Sequence, residues 1–201
     1  MVRYPYIRNE ILKIYRAIER IEFPLDPLTL FKQVDNCRIM TYQEFSELNC
    51  CSIEDVIMMC ESRSGCTHYS LANDRYLTLY NASFADNNVA GRIRWTKAHE
   101  LGHVTLKHLP YIAVSQIAEH NFNKVYDHEL EQEADYFAAM LLSPFPIWEM
   151  LGIKTLFDIQ KVFGLSEEAS KNRESDYIKW KKTRVKTAWE NDMKRLVARH
   201  I

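Results

Sequence analysis

His99, Glu100 and His103 constrain this chain more than any other residues. Placed on a helix, residues four apart stand one above the other, so two imidazoles can offer nitrogens to one cation while the carboxylate leans beside them. The local pattern supports a helix: Val89, Ile93, Thr96, His99, Glu100 and His103 continue one stripe that runs until Pro110. Two histidines do not complete such a centre, because a catalytic zinc takes three protein ligands and keeps a fourth position for water. Whatever the fold, a third donor must be carried to this helix face from elsewhere.

Glu131 and Asp135 answer that requirement. They stand four apart on an alanine-rich helical stretch, 130–142, that is stopped by Ser143, Pro144 and Pro146. One carboxylate can bind the cation while the other fixes a ligand histidine through its second ring nitrogen. Glu133 points to the other side of that helix and ranks below Glu131. His108, His120 and His128 are rival third ligands by chemical type, read here as ordinary surface or cleft histidines. With the cation in place, Glu100 is the general base, and Tyr126, His128 and His120 are open alternatives for stabilising an oxyanion. Zinc is favoured on availability, although manganese or cobalt would also suit two imidazoles and a carboxylate.

The rest of the chain is read against that centre. With 201 residues, 47% of them hydrophobic and 26% charged, it can bury one substantial core. A net charge of −1 gives no global attraction to nucleic acid or an anionic membrane. No stretch reaches transmembrane length and the N-terminus lacks a signal-like apolar block, so a cytoplasmic protein is expected. Five cysteines (Cys37, Cys50, Cys51, Cys60 and Cys66), odd in number and without a CxxC pair, fit reduced thiols. A Cys37 to Cys66 bridge or a cysteine-bound metal is the alternative.

Ile7, Ile11, Ile14, Ile18 and Ile21 predict an opening helix between Pro5 and Pro24. Asp26 before Pro27 predicts an N-cap for a short helix through Phe31. Residues 38–42 read as a strand, and Ser52 with Asp55 forms a capping box for a helix ending near Gly65. Residues 67–72 and 75–80 predict a hairpin around Asn73 and Asp74. Its second strand, Tyr76, Leu77, Thr78, Leu79 and Tyr80, is a candidate exposed edge for pairing with an extended substrate, with plain sheet packing as the alternative. Residues 81–88 read as loop, and 111–128 as a loop or short helix over the cleft. Thr155 with Asp158 caps a helix stopping at Gly164, and a long charged helical stretch follows Ser166. Its Trp180 and Trp189 are read as packed inward, since Glu174, Asp176, Glu190 and Asp192 dilute the basic charge and argue against direct nucleic-acid binding.

Two blocks also resemble a family. Arg94, Trp95, Thr96, Lys97 and Ala98 lead into the HExxH run, and Glu131, Ala134, Asp135, Phe137, Ala138 and Ala139 precede Leu141, Leu142, Ser143 and Pro144. This pattern resembles the ImmA/IrrE metallopeptidases, more loosely through Phe163, Gly164, Leu165, Ser166 and Ala169. The resemblance implies a zinc enzyme of bacterial or phage origin that cuts a helix-turn-helix repressor. It implies His99, His103 and Glu131 as ligands and Glu100 as base. Asp135 stands where the family often has asparagine, and Ser143 where methionine is common.

The expectation is an α+β fold: a small twisted sheet packed on the HExxH helix, zincin-like, with a core over residues 1–145 and a helical extension over 146–201. The rival to site-specific proteolysis is a zinc-containing module of the same fold that holds a repressor without cutting it.

Overall fold

The computed structural model describes residues 1–83, 89–109, 116–118, 125–183 and 187–200, with side-chain detail for these apart from 89, 116–118, 125–127 and 183. The architecture is α+β: a small mixed sheet set among helices, which form most of the mass. Among the described residues no helix is long and apolar enough to cross a membrane.

Helix α1 (Tyr4–Ala17) buries Ile7, Ile11, Leu12 and Tyr15 along one stripe, and the Tyr15 hydroxyl donates to the Leu141 carbonyl at 2.7 Å. The helix ends before Ile18 and Ile21. Ile21 stays in the core without helical backbone, so its spacing reports burial rather than a longer helix. Asp26 caps α2 (Pro27–Phe31) by accepting from Leu28 N. Strand β1 (Cys37–Thr41) runs directly into α3 (Tyr42–Asn49) through a Thr41 and Glu44 capping box. The expected Ser52 and Asp55 box starts α4 (Ile53–Cys60), which stops at a left-handed Glu61 rather than near Gly65.

Strands β2 (Gly65–Ser70) and β3 (Arg75–Tyr80) form the hairpin, with Ser70 opposite Arg75. Strand β1 joins β3 in parallel, while β4 (Gln116–Ala118) joins β2 antiparallel, giving the order β1-β3-β2-β4. This corrects the reading of Tyr76, Leu77, Thr78, Leu79 and Tyr80 as an exposed edge. Both sides of that strand already carry hydrogen-bonded neighbours, so its backbone has no free ladder for a substrate. The alternating pattern could not reveal this, because each β1 residue pairs in parallel with one 39 positions further along the chain. Residues 116–118 are strand where a loop or short helix was expected; 111–115 and 119–124, like 84–88, lie outside the described residues.

Helix α5 (Val89–Thr105) carries the HExxH run and packs most extensively on α6 (Val125–Leu142). It ends at Thr105, five residues before Pro110, because Lys107 takes a left-handed conformation (φ +56°) that turns the chain back. After a 3-10 turn at Phe145–Ile147 come α7 (Leu156–Phe163), α8 (Glu167–Thr183) and α9 (Ala188–Ala198). The Thr155 and Asp158 box and the Gly164 stop bound α7 as expected.

The main core joins α1, α5, α6 and the C-terminal helices, including Phe137, Trp148, Phe163 and Met193. Trp189 is buried there and donates to the Arg8 carbonyl at 2.7 Å. A smaller cluster of Met40, Tyr42, Val56, Cys60, Cys66 and Leu79 fills the space between the sheet and α3–α4. Within it Cys60 and Cys66 form a disulfide (Cα–Cα 5.6 Å), while Cys37, Cys50 and Cys51 are free thiols. This corrects both the expectation of five reduced cysteines and the alternative bridge from Cys37. The left-handed Glu61 ends α4 and returns the chain into β2, bringing residues six apart in sequence into contact.

Candidate metal centre

The centre is made by the close approach of α5 and α6. At Gly102, between the two histidines, an added Cβ would stand 3.1 Å from Phe137 Cδ1 and 3.2 Å from the Ala134 Cα. Glycine facing alanine lets these helices pack nearly backbone to backbone, which is what brings a short carboxylate arm from α6 to imidazoles on α5.

At that contact the Nε2 atoms of His99 and His103 lie 3.1 Å apart. Glu131 Oε2 is 3.0 Å from His99 Nε2, and Glu131 Oε1 is 3.3 Å from His103 Nε2. All three side chains are buried.

The outer nitrogens are also occupied. His99 Nδ1 lies 3.0 Å from Asp135 Oδ1. His103 Nδ1 lies 2.9 Å from Nδ1 of His108, whose Nε2 lies 3.2 Å from Glu133 Oε2. Glu133 in turn accepts from the Arg3 backbone N at 2.7 Å and from Arg3 Nε and Nη2. Burial drives His108 down to about 4, keeping it neutral, while the bonds from His108 and Arg3 override burial and bring Glu133 down to about 2.

One proton assignment serves the whole chain of contacts. His103 donates from Nδ1 to His108 Nδ1, and His108 donates from Nε2 to Glu133; likewise His99 donates from Nδ1 to Asp135. Both inner Nε2 atoms then present lone pairs to each other and to an anionic carboxylate. Glu131 Oε1, buried, takes part in no well-formed hydrogen bond. Three electron-rich donors crowded together in a dry site repel one another unless a cation lies among them. A tetrahedral zinc with bonds of about 2.0–2.2 Å needs donors about 3.3–3.6 Å apart, close to the spacings seen. The donor set fits a divalent cation.

Residues 85–175 match the model of the IrrE N-terminal-like domain, Peptidase_M78. Over those residues the chain is similar to an IrrE N-terminal-like peptidase domain. No curated protein matches the chain. The matched segment holds α5 and α6, hence His99, Glu100, His103 and Glu131, and the peptidase family it resembles implies a metal. Several residues that shape the centre lie outside it. Arg3 is one, and Thr67 on β2 is another, since its hydroxyl donates to Glu100 Oε2 at 2.6 Å.

Thr67 has one proton and gives it to Glu100, so Thr78, 3.1 Å away, donates to the Thr67 oxygen. Cys37 Sγ adjoins Thr78 at 3.8 Å, its thiol pushed up to about 11 by burial. Gly65 clears the opposite side: a Cβ there would lie 2.7 Å from Thr96 Cγ2 and 3.2 Å from Glu100 Oε1. The sheet thus grips the Glu100 carboxylate.

His108 corrects the sequence reading. It is fully buried against His103 rather than an ordinary surface or cleft residue, because the left-handed Lys107 folds it back onto the helix it follows. Glu133 does face away from Glu131, toward His108 and Arg3. His128 is exposed on α6, with Gln132 Nε2 3.0 Å from its Nε2. The Tyr126 side chain and all of His120 lie outside the described residues. Ser143 is buried and accepts from Arg173 Nε at 2.9 Å, tying α6 to α8.

Proposed function

We propose that this protein is a zinc-dependent, site-specific endopeptidase that cuts a helix-turn-helix transcriptional repressor in the cytoplasm and so releases mobile-element or stress genes. The single observation behind the catalytic part is the convergence of His99, His103 and Glu131, with Glu100 next to His99 on the helix that carries both histidines. The repressor follows from likeness to the ImmA/IrrE pattern.

When bound, zinc supplies an acidified water and an electrophile for the scissile carbonyl oxygen. His99, His103 and Glu131 hold it, while Asp135 and His108 keep the two imidazoles in the ligating tautomer. Glu100 accepts a proton from the attacking water and returns it to the leaving amine. The Thr67 hydroxyl restrains one Glu100 oxygen throughout, so the carboxylate reaches the reacting groups without a search over rotamers.

The test is co-expression with helix-turn-helix proteins encoded in the same locus, comparing wild type with Glu100→Gln. Cleavage of one such protein by wild type alone supports the reading. Zinc-loaded wild type that binds the repressor and leaves it whole would establish instead a sequestering module.

A further inference from the structure

Cys60, Cys66 and His68 form a second donor cluster, distinct from the candidate metal centre. The two sulfurs and His68 Nε2 all lie within 4.8 Å of one another. Cys66 and His68, two apart on β2, share the sheet face turned toward α3 and α4, and Cys66 Sγ lies 3.4 Å from His68 Nε2. Cys60 reaches them from the end of α4. Thr67, between them, projects to the opposite face and holds Glu100, so the two clusters sit back to back across one strand.

The chemistry is that of a borderline or soft cation. Two thiolates and an imidazole match a Cys2His set with a fourth position for solvent. Both sulfurs are fully buried, whereas His68 is partly exposed and opens the cluster to solvent. No role in peptide hydrolysis accounts for this arrangement.

We infer that Cys60, Cys66 and His68 are a redox-gated site for a thiophilic divalent cation such as zinc: closed while the cysteines are bridged, open once they are reduced. A small dithiol breaks the Sγ–Sγ bond and becomes a cyclic disulfide, leaving two thiols on the protein. Cation binding then releases both thiol protons to solvent. Hydrogen peroxide reverses the gate, taking the two electrons of the dithiolate to re-form the bridge, freeing the cation and being reduced to water.

Cobalt(II) is the probe, because only a sulfur-containing site gives an intense thiolate-to-cobalt absorption in the near ultraviolet. Full-length protein is reduced with dithiothreitol, freed of it under anaerobic conditions, and titrated with cobalt. Reduced wild type is expected to take up two equivalents and show the sulfur band; peroxide should abolish the band and release one equivalent. Glu131→Gln should lose the other equivalent and keep the band, which separates this inference from the peptidase reading. Replacing Cys37, Cys50 and Cys51 together by alanine should keep the band. His68→Ala should weaken the affinity by more than the roughly 10–100-fold that an outer partner costs, since a direct ligand is lost. A reduced wild type without the band, or a band that survives Cys60→Ala with Cys66→Ala, overturns the inference. The wild-type and triple-variant titrations decide it even if that double variant fails to fold.

Discussion

His108 Nδ1 lies 2.9 Å from Nδ1 of His103, and Arg3 reaches the same pair through Glu133. The N-terminal residues thereby brace a ligand on α5 by way of two buried side chains from elsewhere in the fold. Removing an outer partner of a metal-bound histidine typically costs about 10–100-fold in affinity. His108→Ala is expected to weaken zinc binding by about that factor, read by competition with a chromophoric chelator. Arg3→Ala, two contacts further out, should have a smaller effect of the same sign. Unchanged affinity in His108→Ala would show that the contact does not orient the ligand.

Glu131→Gln and Glu133→Gln should separate sharply. The first removes an anionic ligand and is expected to abolish stoichiometric zinc, measured by elemental analysis on protein with the Cys60–Cys66 bridge closed. The second leaves all three donors and should retain most of the metal at saturating zinc. The reverse order would mean that the ligand set is wrongly drawn.

Thr67→Val keeps the shape of the side chain and deletes the hydroxyl that holds Glu100. A hydrogen bond to a charged group is worth about 1.5–3 kcal/mol, so turnover should fall by about 10–100-fold if the restraint is fully used in the transition state. Zinc content should not change. Single-turnover cleavage of the identified substrate is the measurement, and a parallel loss of metal would point to structural damage instead.

Gly102→Ala puts a methyl group against the Ala134 backbone and Phe137. Overpacking of this kind costs about 1–3 kcal/mol, and here it also pushes Glu131 away from the histidines. Lower thermal stability and weaker zinc binding should appear together. Stability lost with affinity intact would place the strain away from the centre.

Arg173 is buried, donates to Ser143 Oγ and O, and lies 3.7 Å over the Phe145 ring. Arg173→Ala leaves the Ser143 carbonyl without this donor and opens a void, a loss of about 3–5 kcal/mol in chemical denaturation. A change below about 1 kcal/mol would show that α8 contributes little to holding α6.

The local features were legible because their causes are local. A proline after Asp26, a Ser or Thr three residues before an Asp, and histidines four apart each act within one helical turn, so the caps of α2, α4 and α7 and the shared face of His99 and His103 follow from spacing. The hairpin around Asn73 and Asp74 was legible for the same reason. His108 was not, because its burial depends on a left-handed Lys107, which no side-chain pattern announces.

The sequence by itself thus determined which residues could share a helix face and where most helices begin. Tertiary structure decided the remainder. It carried Glu131 to the two histidines through the Gly102 and Ala134 contact, placed Arg3, Glu133 and His108 in one line behind His103, and paired Cys60 with Cys66. It also enclosed β3 between β1 and β2, removing the edge that alternation suggested. The physical reason is range: capping and helical periodicity act over three or four residues, whereas these contacts form only when whole elements have packed.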